Sequence, residues 1–321
     1  MARYLARRMA GALLVVVIVA AAVFWLFELL PGDAATILLS RQGAGQPDPR
    51  QLEMLRAELG LDRPALERFA EWAAGLAGGD LGVSLLSQRP VSEIIAPLLG
   101  NSMVLAAVTV AILIPLSVTL GLAAGARPGT RLDKVVSSVA LSAESVPPFV
   151  IGVLCISWLA LGLGWFPAVS LVPRGTSPLE RPEILVLPVL CLLCGLAPHP
   201  IRVARAQMGE VMSSDYITAA RINGIPERRL VLRHAAPNAL SAALHPLAGA
   251  VVGLVGGIAI VEVLFAYPGL AHELLRAISG RDLPFVQSAA VLLAAFGVFA
   301  YLIADIVAML LTPSGRNVLR R

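Results

Sequence analysis

The chain has 321 residues, of which 57% are hydrophobic and only 14% charged, and its mean hydropathy is +0.81. A soluble domain is typically about 45–50% apolar and about 25% charged, so the composition excludes a water-soluble globular protein and calls for an all-α, polytopic membrane protein. The net charge of +4 and the pI near 9.3 come from basic segments between apolar runs and do not argue for a nucleic-acid partner.

Taken in chain order, six apolar runs can cross a hydrocarbon core about 30 Å thick, which takes roughly 20 helical residues. They lie near 9–30, 102–124, 135–163, 184–201, 239–262 and 285–311. Helices are expected because lipid offers backbone groups no partner and the runs lack the alternation of barrel strands. The first run follows Arg3, Arg7 and Arg8 and is too long for an ordinary signal peptide, so it reads as a retained signal anchor. Lys and Arg gather at the N-terminus, in 125–134, in 202–237 and in the C-terminal tail, where the only acids are Asp133, Glu210, Asp215 and Glu227. The positive-inside rule then puts both termini in the cytoplasm.

This divides the chain into an N-terminal tail and first span (1–30), an extracytoplasmic helical segment (31–101) and a five-helix core (102–321) with a cytoplasmic loop at about 202–237. Within 31–101, the stripes Leu52, Leu55, Leu59 and Leu66, Phe69, Trp72 predict two short helices, with Asp48 and Asp62 as cap candidates and Pro64 at a helix start. In the third span, Pro147 and Pro148 remove helix hydrogen bonds and should break the helix near its middle. Such breaks are tolerated where protein or a water-filled cavity satisfies the freed groups, so Glu144, Ser145, Pro147 and Pro148 are candidates for lining a translocation path; a plain structural kink is the other reading. Glu28 and Glu262 are expected near external span ends, close to water, and Asp305 beside polar groups near the end of the last span. Cys155, Cys191 and Cys194 all fall inside spans and read as small buried hydrophobes.

The fourth loop is unusual. From Asp215 it carries Thr218, Ala219, Ala220 and Arg221, then Asn223-Gly224, Pro226, Arg228, Arg229 and Arg233. Ser213, Ser214 or Asp215 can cap a first helix, Gly224 can end it at positive φ, and Pro226 suits the first turn of a second. Small side chains on the first of these two short helices would let it lie deep in a groove of another protein; a merely basic loop would not need the alanines and the glycine bend.

This segment resembles the Glu-Ala-Ala loop of ABC importer permeases, with Thr218-Ala219-Ala220 at the motif, Gly224 at its glycine, and Arg233-His234-Ala235 and Asn238-Ala239-Leu240 following. The resemblance extends nearly end to end, to the dipeptide/oligopeptide/nickel branch of first-permease type. Its carriers are Arg3-Tyr4-Leu5-Ala6-Arg7-Arg8, Leu30-Pro31-Gly32-Asp33, Leu59-Gly60-Leu61-Asp62-Arg63-Pro64, Gly79-Asp80-Leu81-Gly82, and Glu262, Phe265 and Pro268-Gly269-Leu270. Two departures are the Thr at 218 in place of Glu, and the tail Leu311-Thr312-Pro313-Ser314-Gly315-Arg316 where the family usually has Asp-Pro-Arg.

The resemblance implies a type I ABC importer permease fold in a bacterial inner membrane, with the loop docking into an ATPase cleft. It also implies a paralogous second permease, two ABC ATPase subunits carrying ATP and Mg²⁺, and an extracytoplasmic substrate-binding protein. The substrates it allows are di- or oligopeptides, nickel or a metal chelate, or glutathione-like compounds. The chain itself has one lysine, Lys134, outside any P-loop pattern, so ATP hydrolysis and cofactors belong to partners. His272-Glu273 begins like a zinc motif, but Arg276 stands where its second histidine is needed. An ion-coupled transporter using Glu144 or Asp305 would leave the fourth loop unexplained.

Overall fold

The computed structural model describes residues 2–29, 35–36, 39, 48–173 and 175–311, with side chains given within 6–303 of that set. The post-span turn Leu30 to Asp33, the tail from Thr312 and the side chain of Asp305 lie outside the described residues. Every regular element among the described residues is helical, apart from one isolated bridge between Val83 and Pro90. By length and composition, four helices can cross a membrane, or six if each of two bent helix pairs counts as one span.

Contacts divide the chain into two compact units, 1–100 with 269–299 and 101–268 with 300–321. In the first unit, α1 (Ala2–Glu28) exposes Leu13, Leu14, Ile18 and Leu26, as a helix apolar on every side does when it faces lipid. Its Phe24 is buried against Phe69, with ring centroids 5.2 Å apart, and against Trp72 at 6.0 Å. Both aromatics belong to α3 (Ala65–Ala77), which also holds Glu28 through Arg68 at 2.5 Å. Asp48 caps α2 (Pro49–Glu58) by accepting the Arg50 N–H at 3.1 Å. Asp62 does not cap α3; Pro64 occupies that position, its fixed φ already suited to chain entry.

The second expected span starts earlier than its apolar run. Helix α4 (Val91–Gly125) opens at Val91, because Val91 and Ile95 pack with Leu270 and Ala277 of α12 (Leu270–Gly280) and with Phe285 and Ala289 of α13 (Leu283–Leu311). In the same unit the buried Asp282 carboxylate accepts the Ser84 hydroxyl and the Leu85 N–H, the latter at 3.0 Å. Asp282→Ala should therefore lower the thermal midpoint in detergent by the equivalent of about 1–3 kcal/mol, the cost of unpaired buried donors. Asp282→Asn, which keeps an acceptor oxygen, should recover part of the loss.

The second unit holds a core of Leu105, Ile184, Leu187, Cys191, Leu254, Ile258, Phe265 and Tyr267. Its first bent pair is α5 (Arg131–Glu144) and α6 (Pro148–Cys155, continued by a π-helical stretch Ile156–Gly162), with 103° between the two arms. Its second is α7 (Glu183–Leu196) and α8 (Pro198–Met212), bent by 48°. Each second arm carries a proline in its first turn, Pro148 and Pro198, where the absent N–H breaks the ladder from the preceding arm. The expected fourth span, 184–201, stops short of Met212: most of α8, residues 202–212, lies in what the sequence reads as loop.

Two further expectations change. The second loop helix is not separate: α10 (Glu227–Arg229) runs through a π-helical turn, Leu230–Ala235, into α11 (Ala236–Leu264). The wide turn stands just before Pro237, whose ring cannot accept a normal i−4 neighbour. Glu262 is not near water; it is 0% exposed and accepts the Ser102 hydroxyl. Cys155 and Cys191 are buried, and the Cys191 thiol donates to the Pro148 carbonyl at 3.2 Å.

Candidate functional site

The fourth loop becomes a helix held on one side and open on the other. Helix α8 ends in a serine turn, in which Ser213 Oγ donates to Glu210 O at 2.8 Å and Ser214 Oγ to Val211 O at 2.6 Å. Of the three cap candidates, Ser214 takes the N-cap position by its extended backbone, without a side-chain bond, and α9 (Asp215–Ile222) follows. Ile217 is 0% exposed among Met208, Met212, Ala235 and Ala239, which fixes α9 to α8 and to the start of α11. Tyr216 adds a polar tie, since Asn238 Nδ2 donates to its hydroxyl at 3.0 Å.

The helix stops as its sequence requires. Gly224 N bonds to Arg221 O at 3.0 Å and Ile225 N to Ala220 O at 3.2 Å, with Gly224 at φ +78. This is the paired closure of a Schellman motif, and it needs a residue tolerant of the left-handed region at 224. Pro226 stands at the N-cap of α10, one position ahead of its expected place. Arg221 reaches across the bend to Glu227, and that carboxylate raises the already high pKa of the guanidinium.

Asp215, Thr218, Ala219, Arg221, Gly224, Pro226, Arg228, Arg229 and Arg233 are all exposed, and Ala220 is half-buried. The Thr218 hydroxyl is spent within the helix, on Ser214 O at 3.2 Å. Among the described residues, Arg228, Arg229 and Arg233 form no ion pair. The residue that sequence reasoning passes over is Ile222, a large apolar side chain 81% exposed at the tip of α9; Leu232, 57% exposed, joins it. The signal was available: Ile217 and Ile222 are five residues apart, about 140° around a helix, so both cannot face one core. The outcome is a small-residue helix with an exposed apolar tip, followed along the chain by three exposed arginines.

The path candidates lie elsewhere in the same unit. Ser145 ends α5, with Oγ donating to Leu141 O at 2.8 Å, and Pro147 and Pro148 start α6. All four candidates, Glu144 included, are exposed at the break. Glu144 is nonetheless engaged: Arg202 of α8 donates to it, and His199 Nδ1 lies 4.0 Å away. Among the described residues no group of three or more His, Cys, Asp and Glu side chains is placed to hold a metal ion.

Residues 117–316 match the family described as the binding-protein-dependent transport system inner membrane component, and residues 1–123 match the N-terminal component of the same kind of protein. The chain belongs to this permease family. A peptide transport system permease protein of Brucella abortus is 37% identical over 310 residues, 97% of this chain and 98% of that protein. A counterpart from Brucella suis is 38% identical over 307 residues, 96% of each chain. A glutathione transport system permease protein of Escherichia coli is 28% identical over 316 residues, covering 98% and 99%. The chain is thus a permease of the ABC importer class, in its peptide/oligopeptide branch, with the type I permease fold and multiple membrane spans. In this permease, α8 to α11 and the break at 145–147 all fall inside the 117–316 match.

One pair in the permease escapes a reading by motif. Asp133, buried, takes both arms of Arg205, Nε at 2.7 Å and Nη2 at 2.8 Å, and also the Gly129 N–H at 2.8 Å. Beside it, α4 lies so close to α8 that a Cβ on Gly125 would strike the Arg205 carbonyl, and one on Gly121 would sit 2.8 Å from Ile201 O.

Proposed function

We propose that this permease forms half of the translocation path of an ATP-driven importer of di- or oligopeptides in a bacterial inner membrane, with both termini cytoplasmic. One observation carries the coupling role: α9 is anchored from behind by Ile217 and presents Ile222 to solvent, and Arg228, Arg229 and Arg233, exposed and without ion pairs among the described residues, follow it on α10 and the π-helical turn. An exposed apolar tip beside a basic stretch of the same loop suits a groove with an acidic edge, as in the central pocket and polar rim of an interface. The groove belongs to a separate ABC ATPase subunit, which carries ATP and Mg²⁺. A second, paralogous permease and an extracytoplasmic binding protein complete the assembly.

In this reading the residues from Asp215 to Arg233 receive the ATPase movement, and Glu144, Ser145, Pro147 and Pro148 border the path. Because binding linkage is reciprocal, loaded binding protein should change ATP turnover as ATP changes access to the path. The peptide assignment rests on the names of the Brucella relatives; the glutathione permease of Escherichia coli, similar at lower identity, keeps a small thiol tripeptide within the same class.

The test is a tagged purification from the native membrane under gentle extraction, with ATP hydrolysis assayed in the eluate. An ATPase and a second permease should co-purify. Gly224→Trp, which forces a bulky residue to φ +78 at an otherwise open bend, should lose the ATPase and keep the second permease. Absence of any ATPase from the wild-type eluate would refute the importer reading.

A further inference from the structure

The two bent pairs are cross-linked arm to arm. Helix α5 packs on α8, and α6 packs on α7. The tie between α6 and α7 includes the Cys191 thiol on the Pro148 carbonyl. Between α5 and α8 the ties are ionic and sit at both ends of α5: Asp133 near its start takes Arg205, and Glu144 at its end takes Arg202. Asp133 and Glu144 are eleven residues apart, about 16 Å along a helix, whereas Arg202 and Arg205 are one turn apart, about 4.5 Å. The two arginine arms must therefore diverge along α5.

Diverging ties have a mechanical consequence. Sliding α5 along α8 in either direction stretches one pair, so the two helices resist axial shear both ways. The close approach of α4 at Gly121 and Gly125 braces the same stretch of α8. At its other end α8 continues through the serine turn into α9, locked by Ile217 on Met208 and Met212. A displacement of α9 thus reaches α8, and through Arg202 and Glu144 it reaches the last residue of α5. The next three residues, Ser145, Val146 and Pro147, join α5 to α6, which packs on α7.

The geometry points to Glu144 and Arg202 as positioning residues for transport: their pair is the link through which movement of α9 opens or closes the helix break at 145–147. His199, 4.0 Å from Glu144, flanks the link on the same helix face. This inference rests on the importer reading above, since it needs an ATPase to move α9. Neither residue is asked to touch the transported solute.

The assembled complex tests it without knowledge of the substrate. Val146→Cys is introduced as a reporter and labelled with a quaternary-ammonium methanethiosulfonate, without nucleotide and with ATP plus vanadate; the chain lacking the new cysteine is the blank. With the ion pair intact, the labelling rate should differ about tenfold between the two states, as when the accessible fraction moves from roughly 9% to roughly 90%. Glu144→Gln and Arg202→Gln should bring the ratio close to one while ATPase stays bound and hydrolyses ATP, and the exchange Glu144→Arg with Arg202→Glu should restore it. A purely structural pair would change the amount of complex and leave the ratio alone. Single variants that keep the tenfold ratio with ATPase bound overturn the inference, as does a reporter that never responds in an active complex. Should the uncharged variants fail to assemble, Glu144→Asp, which shortens the link by one methylene, decides in the same way: a reduced ratio supports it and an unchanged one overturns it. Absence of ATPase from every form refutes the importer reading itself and removes this inference with it.

Discussion

Ile222→Asp should strip the ATPase from the purified permease without unfolding it. The side chain is 81% exposed and makes little contact with its own chain, and surface substitutions of that kind usually stay within about 0.5 kcal/mol of stability. If Ile222 fills a pocket in the ATPase, putting a carboxylate there costs at least as much as truncating a hot spot, about 2 kcal/mol or more. That is roughly thirtyfold in Kd, enough to empty a complex during washing. Ile217→Asp is the control with the opposite signature. Ile217 is fully buried, so an unpaired charge there should damage the permease itself and lower its yield and thermal midpoint. A result in which Ile222→Asp retains ATPase at wild-type stoichiometry would move the docking surface off the tip of α9.

The second large effect concerns the Asp133–Arg205 pair. Arg205→Ala should lower the unfolding midpoint of the permease more than Asp133→Ala and Arg205→Ala do together. Removing one partner of a buried pair costs about 3–5 kcal/mol because the other charge is left in a low-dielectric site. The charge that Arg205→Ala leaves behind, Asp133, is only 5% exposed, so this variant should cost more than Asp133→Ala, which leaves Arg205 at 39% exposure. Asp133 would retain the Gly129 N–H but lose both guanidinium bonds. The double variant has no stranded charge, so its cost reduces to lost packing and the open Gly129 N–H. Unfolding in detergent, followed as loss of monodisperse protein with temperature, reads both values, and a strictly additive double variant would show that the pair is not coupled.

The stretches legible in the sequence are those where one local cause suffices. A run such as 9–30 must be a helix because lipid leaves its backbone no other partner, and Pro147-Pro148 must interrupt one because two successive N–H groups are compromised. Gly224 had to end α9, since the closure onto Arg221 and Ala220 needs positive φ. Composition also separated the basic segments from the apolar ones, while the likeness to importer permeases rests on particular residues such as Ala219, Ala220 and Gly224.

Other features depended on which surfaces meet. The sequence could not say that Val91–Gly100 would be recruited into α4, because the reason is its packing with Leu270 and Phe285, far along the chain. It read Arg202 and Arg205 as loop charges, whereas α8 carries them as helix, each opposite a carboxylate of α5. Glu262 read as a residue near water, yet Ser102 meets it in a fully buried setting. Hydropathy and backbone chemistry act over a few residues, so the sequence by itself determined that this chain spans a membrane, that one span breaks at Pro147-Pro148, and which segment between spans is small and basic. Burial and charge pairing are properties of neighbours brought together by folding, so only the tertiary structure decided which acids are engaged, which side of α9 is free, and that α5 and α8 are tied at two diverging points.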